Sequence, residues 1–157
     1  MTSTLIDVGQ LVPDVTLTDE IGSDVRLRDL AGKTVVLYFY PKNDTPGCTT
    51  QACELRDSWS AFECRDDVVI YGVSPDDGAS HQKFRAKYDL PFHLLVDADH
   101  QLAEAFGIWK ERTNYGKTYM GIERGTVIVG ADSKVLTIKR RVKPAEHTDW
   151  LKGQLGL

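Results

Sequence analysis

Apolar residues gather along this chain in two kinds of run, and their spacing separates strands from helices. The run Thr34-Val35-Val36-Leu37-Tyr38-Phe39-Tyr40 is continuously β-branched or aromatic and is stopped at once by Pro41. A stretch of that length and content predicts a strand buried on both faces. Val68-Val69-Ile70-Tyr71-Gly72-Val73-Ser74 repeats the pattern. Between them, from Cys48 onward, Ala52, Leu55, Trp59 and Phe62 fall at spacings of 3, 4 and 3. That spacing is one face of an amphipathic helix whose N-terminus lies close to Cys48. Pro75-Asp76-Asp77-Gly78 then leads into a helix expected over about 80–88, followed by a short strand over 92–96. Asp97-Ala98-Asp99 offers capping oxygens for a short helix over 101–106 that Gly107 ends. Residues 110–121 read as a polar loop. Two more strands, 125–129 and 135–141, flank Gly130-Ala131-Asp132-Ser133, and a last helix is expected over about 145–155. Near the N-terminus, 15–17 and 25–27 flank a turn-rich segment and predict a small hairpin covering one end of the sheet.

Alternating strands and helices followed by a terminal hairpin and helix indicate one layered α/β domain over 1–157, with helices on both faces of a mixed central sheet. A thioredoxin-like arrangement is the expected one. At 157 residues the chain is long enough to bury a real core. Nineteen basic residues stand against 23 acidic ones, a net charge of -4 with no dense basic block, so nucleic acid is not expected as a principal partner. The longest apolar run, 35–40, is far short of the ~20 residues that cross a bilayer. The N-terminus has neither a positive n-region nor an apolar h-region, so no membrane association is expected and a cytoplasmic location is the default.

Three cysteines is an odd count, and Cys48 and Cys53 lie five residues apart, which fits thiol chemistry in a reducing compartment better than a disulfide framework. Pro41-Lys42-Asn43-Asp44-Thr45-Pro46-Gly47-Cys48 connects a buried strand to a helix, placing Cys48 on the sheet edge where ligand sites of open α/β folds collect. Unpaired amides and the macrodipole at a helix N-terminus favour an anion, so the nucleophilic thiolate is expected to be stabilised there. Thr45 lies three residues earlier, where its hydroxyl is in reach of the sulfur or of a bound oxygen. In an ideal helix the Cα atoms of Cys48 and Cys53 lie about 8.7 Å apart, beyond the ~7 Å limit for a disulfide. If the two pair, the first turns of the helix must unwind. A continuous helix would put Cys64 roughly 24 Å from Cys48, which favours a structural role for it. C-x4-C with one distant cysteine is an incomplete ligand set, so no metal is expected. His81, His93, His100 and His147 leave a Cys-His hydrolase open in principle, but each reads better as a surface or packing residue. No phosphate-cradling glycine pattern is present, so no nucleotide cofactor is expected.

Tyr38-Phe39-Tyr40-Pro41, Thr45-Pro46-Gly47-Cys48-Thr49 and Gln51-Ala52-Cys53-Glu54-Leu55-Arg56-Asp57 together resemble the peroxiredoxin family, most of all its bacterioferritin comigratory protein or peroxiredoxin Q branch. The resemblance continues through Gly72-Val73-Ser74-Pro75-Asp76, Leu94-Leu95-Val96-Asp97, Tyr115-Gly116-Lys117 and Gly121-Ile122-Glu123-Arg124, nearly the whole chain. It implies a thioredoxin-like peroxiredoxin fold with Cys48 as peroxidatic cysteine, Thr45 hydrogen-bonding the peroxide, Pro41 shielding the pocket and Arg124 completing the site. It further implies that Cys53 resolves the Cys48 sulfenic acid as an intramolecular disulfide. Thioredoxin or a similar dithiol would then reduce that disulfide in a monomeric enzyme that needs no cofactor. The chain departs from its relatives at Gly125, where serine is usual, and at Gln51, where many carry glutamate. Neither departure removes a reacting atom.

Two other functions compete. A thioredoxin-like disulfide reductase would rely on C-x-x-C, which the chain lacks. A redox sensor or holdase would use Cys48 oxidation to expose residues such as Trp59 and Phe62, and turnover with a reductant separates it from an enzyme.

Overall fold

A computed structural model describes residues 5–157. Strand β3 (Thr34–Phe39) lies at the heart of a seven-stranded sheet, and its alternation explains the layers. Val35, Leu37 and Phe39 point into one apolar cluster and Val36, Tyr38 and Tyr40 into another, so both faces are buried. This strand pairs in parallel with β4 (Val68–Ser74), which pairs in parallel with β5 (His93–Val96). On its other side it pairs antiparallel with β8 (Gly125–Val129), followed by β9 (Val135–Arg140). The N-terminal hairpin, β1 (Thr16–Asp19) and β2 (Asp24–Arg26), continues the sheet by pairing β1 antiparallel with β5. The order is therefore β2-β1-β5-β4-β3-β8-β9, a mixed sheet as expected.

Helices cover both faces. α1 (Pro46–Asp57), α3 (Gly78–Tyr88) and α5 (His147–Leu155) supply Ala52, Leu55, Phe84 and Leu151 to the cluster that contains Tyr38 and Cys48. The opposite face receives Leu102 and Ala103 from α4 (Gln101–Ala105), with Phe106 and Ile108 just beyond it. Gly107 ends α4 at φ +70°, in the left-handed region that glycine enters without strain. Among the described residues, no helix is long and apolar enough to cross a membrane.

Three local expectations change. The helix from Cys48 does not run unbroken to Phe62: Ser58 departs from helical backbone at ψ 9°, and α2 (Trp59–Glu63) is a separate turn, so the continuous-helix separation of Cys48 from Cys64 does not apply. The C-terminal helix is preceded by a 3-10 turn at Pro144–Glu146. Residues 110–121 are not a loop but most of an antiparallel ribbon, β6 (Trp109–Asn114) and β7 (Lys117–Ile122). Tyr115 and Gly116 turn it at φ +52° and +76°, the pair of positive angles that matches the strand twist in a two-residue hairpin. The ribbon stands outside the main sheet and most of its side chains meet solvent, so it carries no buried-strand pattern.

Candidate active site

The segment between β3 and α1 is bolted down by two consecutive polar residues. Asn43 is buried: its backbone N–H donates to Asp76 Oδ2 at 2.8 Å, and its side-chain oxygen accepts from the Tyr40 hydroxyl at 2.5 Å. The Asn43 amide nitrogen reaches Ser80 Oγ at 3.1 Å and His81 Nδ1 at 2.8 Å. His81 Nε2 faces the Leu95 carbonyl at 2.8 Å, and a carbonyl only accepts, so Nε2 carries the proton and Nδ1 accepts from Asn43. Burial holds the His81 pKa below its ordinary value and keeps this arrangement neutral. Asp44, at φ +59°, turns its carboxylate to Lys87 Nζ at 2.6 Å and the Tyr88 hydroxyl at 2.5 Å. Ser80, His81, Lys87 and Tyr88 all belong to α3, and Asp76 lies just before it, so the loop's position is set mainly by the helix after the next strand.

From this fixed loop α1 starts with Pro46 at its first position, where no N–H is needed. Cys48 is therefore the third residue of the helix, among the amides that have no intrahelical partner. Its side chain is buried, and Arg124 Nη2 donates to its sulfur at 3.3 Å. Arg124 immediately precedes β8, whose Gly125 pairs with Phe39 at the end of β3. That register carries an arginine 76 residues away to the end of the strand from which the cysteine loop departs. Gly47 makes the approach possible: a β-carbon there would fall 3.1 Å from Arg124 Nη2 and 3.4 Å from Pro144 Cγ. One helical turn beyond Cys48, Gln51 is fully buried and its Oε1 accepts from Arg124 Nη1 at 2.6 Å. The guanidinium is thus held by an amide at one nitrogen while the other addresses the sulfur, a fixed positive charge where negative charge would develop. Below it, buried His147 bonds Thr126 Oγ1 through Nε2 at 2.8 Å, and burial plus the nearby positive charges of Arg124 and Lys139 lower its pKa to about 3.

The other expected residues occupy distinct places. Thr45 caps α1 with extended backbone, but its hydroxyl donates to the Lys42 carbonyl at 2.9 Å and not to the sulfur. Pro41 is exposed and lines a cavity together with Arg124. Cys53 is half-buried and free; it shares continuous α1 with Cys48, so no disulfide joins them in this conformation. Cys64 is exposed and its thiol donates to the Ser60 carbonyl at 3.1 Å. Gly125 suits a crowded strand, since a β-carbon would lie 3.1 Å from the Lys139 carbonyl oxygen and 3.2 Å from Ile108 Cδ1. His81 and His147 are packing residues, as the sequence allows, but Asn43 and the pairings Asn43–His81 and Thr126–His147 are not legible in it, because an isolated asparagine or histidine does not announce its partner; Asn43 directly after a buried strand and Pro41-Lys42 is the nearest signal. Asp19, Glu20 and His93 bring three potential metal-ligating atoms within 4.8 Å. Glu20 is already engaged by Arg85 and His93, and Asp19 by the Ile21 and Ser23 amides, so these atoms serve the fold.

Residues 8–138 match the AhpC/TSA family model. The chain is 51% identical over 142 residues to peroxiredoxin Bcp of Bacillus subtilis, covering 90% of each chain. It is 40% identical over 151 residues to peroxiredoxin Bcp of Escherichia coli, covering 94% of this chain and 96% of that one. A solved structure of Xanthomonas campestris bacterioferritin comigratory protein, described for its alkyl peroxide reduction activity, superposes with a TM-score of 0.87 at 35% identity and 98% coverage of both chains. Xylella fastidiosa peroxiredoxin Q superposes at 0.89 with 31% identity and the same coverage. In sequence along its length and in fold throughout, the chain belongs to the AhpC/TSA family, among the Bcp or peroxiredoxin Q peroxiredoxins.

Proposed function

We propose that the protein is a thiol-dependent peroxidase that reduces hydrogen peroxide and organic hydroperoxides, with Cys48 as peroxidatic and Cys53 as resolving cysteine. The observation that carries this reading is the 3.3 Å contact from Arg124 Nη2 to Cys48 Sγ at the start of α1. The Cys48 thiolate attacks the terminal peroxide oxygen along the O–O axis. The O–O bond breaks, its electron pair leaves with the second oxygen, and that oxygen takes a proton to become water or an alcohol. Arg124 is placed to stabilise the charge moving across the two oxygens. Thr45 contributes once its hydroxyl turns from the Lys42 carbonyl to the bound peroxide, and Pro41 borders the entrance. Cys48 is left as a sulfenic acid. The Cys53 thiol then attacks that sulfur, an S–S bond forms and the sulfenic oxygen departs as water. A dithiol donor, thioredoxin or a similar protein, returns both cysteines to thiols through a mixed disulfide and is itself oxidised. The cycle needs no metal or organic cofactor, and we infer a monomer acting in the cytoplasm.

The test is intact mass and peptide mapping of the reduced protein after one equivalent of hydrogen peroxide, with Cys48→Ser and Cys53→Ser in parallel. The expected result is rapid loss of two hydrogens mapped to a Cys48–Cys53 bond, and a trapped sulfenic acid in Cys53→Ser. Cys48 persisting as a thiol beside unreacted peroxide would reject the assignment.

A further inference from the structure

Tyr38 in β3 and Tyr40 just after it point into the same apolar cluster, each 1% exposed. Their rings stack with centroids 5.5 Å apart. The Tyr40 hydroxyl donates to Asn43. The Tyr38 hydroxyl is as deeply buried, yet among the described residues it has no hydrogen-bond partner. A hydroxyl taken from water without a replacement bond disfavours the packed state.

Strand β4 makes room for it. The register sets Gly72 opposite Tyr38, and a β-carbon at Gly72 would fall 2.9 Å from the Tyr38 hydroxyl oxygen and 2.7 Å from Leu94 Cδ2. A glycine inside a strand itself weakens that strand, so two destabilising choices combine to seat one phenol. Phe92 meets the Tyr38 ring edge-on at 5.7 Å. The cover over this spot is α1, which brings Cys48, Ala52 and Leu55 into the same cluster. Burial and, next, Cys48 hold the Tyr38 pKa well above its ordinary value, so the hydroxyl keeps its proton. Gln51 Nε2 on α1, and His147 Nδ1 and Thr148 Oγ1 on α5, are likewise buried without partners on the two helices that cover this face.

We propose that the Tyr38 hydroxyl, seated over Gly72 without a partner beneath α1, sets how readily α1 unwinds and thereby how fast Cys53 resolves the Cys48 sulfenic acid. The inference rests on the resolving-cysteine reading of Cys53. With α1 packed the hydroxyl is dry, and with α1 unwound it reaches water, so its burial favours unwinding. Cys53 reaches the Cys48 sulfur only once the helix opens, and the rate of resolution follows the fraction of molecules that are open. When opening is rarer the sulfenic acid persists, and a second peroxide, itself reduced to water or an alcohol, oxidises it to sulfinic acid. Tyr38 is therefore a positioning residue for the second step, acting through α1, and has no part in the first.

Tyr38→Phe keeps the ring and removes only the unpartnered hydroxyl. Stopped-flow tryptophan fluorescence of the reduced protein with hydrogen peroxide separates a first phase that scales with peroxide, the oxidation of Cys48, from a second that does not, the formation of the disulfide. Trp59, packed on Phe92 at 5.7 Å, lies on the face that opens. In Tyr38→Phe the first phase should be unchanged and the second about tenfold slower, with sulfinic acid on Cys48 detected by mass at about tenfold lower peroxide. Native-state hydrogen exchange without peroxide reads the same opening directly, and the α1 amides should exchange about tenfold more slowly than in the wild type. The urea midpoint should rise in Tyr38→Phe and fall in Tyr40→Phe, which removes a bond that is made. An unchanged or faster second phase, or unchanged α1 exchange, overturns the proposal. So does a lowered urea midpoint in Tyr38→Phe, since the hydroxyl would then have a partner such as a bound water. These results require a Cys48–Cys53 bond in the oxidised wild type; its absence would remove the resolving-cysteine reading and this inference with it.

Discussion

Gln51 Oε1 lies 2.6 Å from Arg124 Nη1, so an uncharged amide aims the guanidinium whose other nitrogen meets Cys48. A carboxylate at this position would hold the same fork but cancel part of its charge. With an amide, orientation and charge are both retained. Gln51→Ala should therefore slow Cys48 oxidation by about tenfold through lost positioning, and Gln51→Glu should slow it less. Rates with hydrogen peroxide, read by stopped-flow fluorescence, decide this; a Gln51→Ala rate equal to wild type would show that the β8 backbone alone aims Arg124.

Arg124 carries the larger effect. Arg124→Ala should lower the peroxide reaction by about 10²–10³-fold, the loss seen when one donor to developing charge is removed, with an unchanged far-UV spectrum. Arg124→Lys should recover little, because an ammonium cannot meet Gln51 and the sulfur with a rigid fork.

The loop before α1 should behave as part of the scaffold. Truncating Asn43 orphans the Tyr40 hydroxyl and His81 Nδ1 and removes a donor from Ser80 Oγ, while the backbone N–H keeps Asp76, so Asn43→Ala is expected to destabilise the fold by about 1–3 kcal/mol and to lower peroxidase activity as well. Asp44→Ala loosens only solvent-exposed partners and should leave the urea midpoint nearly unchanged.

Acid should weaken the protein above the range in which carboxylates titrate. His147 has a folded pKa of about 3 and His81 is also lowered, both chiefly by burial, whereas an unfolded histidine titrates near 6.5. The unfolded chain therefore binds more protons below pH 6.5. The stability that depends on the neutral rings is intact above that value and is lost as pH falls through it toward the folded pKa. Each ring adds up to about 1.4 kcal/mol per pH unit within its window. Urea melts at pH 7 and pH 5 should show this slope, and His147→Gln should flatten it.

Oxidation should unwind α1. An intact ideal helix keeps the Cys48 and Cys53 Cα atoms about 8.7 Å apart, too far for the bond proposed between them. Protein with a mapped Cys48–Cys53 disulfide should lose helical circular dichroism at 222 nm, and an unchanged spectrum would exclude this pairing geometry.

Much of this was legible from residues alone, for a local reason. A strand buried on both faces must be apolar at successive positions, so 34–40 and 68–74 declared themselves. The proline, threonine and cysteine after the first of them marked a helix start carrying a nucleophile. The β6–β7 ribbon is illegible because a hairpin with both faces largely in water needs no apolar alternation, and its Tyr115-Gly116 turn is indistinguishable from a loop in sequence. Ser58 broke the long helix although the apolar spacing ran on through Phe62.

What the chain's local pattern determined by itself was therefore most of the elements, the α/β class and a candidate nucleophile at Cys48. Motif resemblance named Arg124 as the cysteine's partner, but only the tertiary structure decided how Arg124 reaches Cys48. The antiparallel register of β8 on β3 sets Gly125 opposite Phe39. That register depends on which faces of two distant strands must be buried together. The same holds for Asn43 on His81 and for Gln51 on Arg124. Each is a meeting of side chains far apart in sequence, fixed by sheet pairing and helix packing that local composition does not encode.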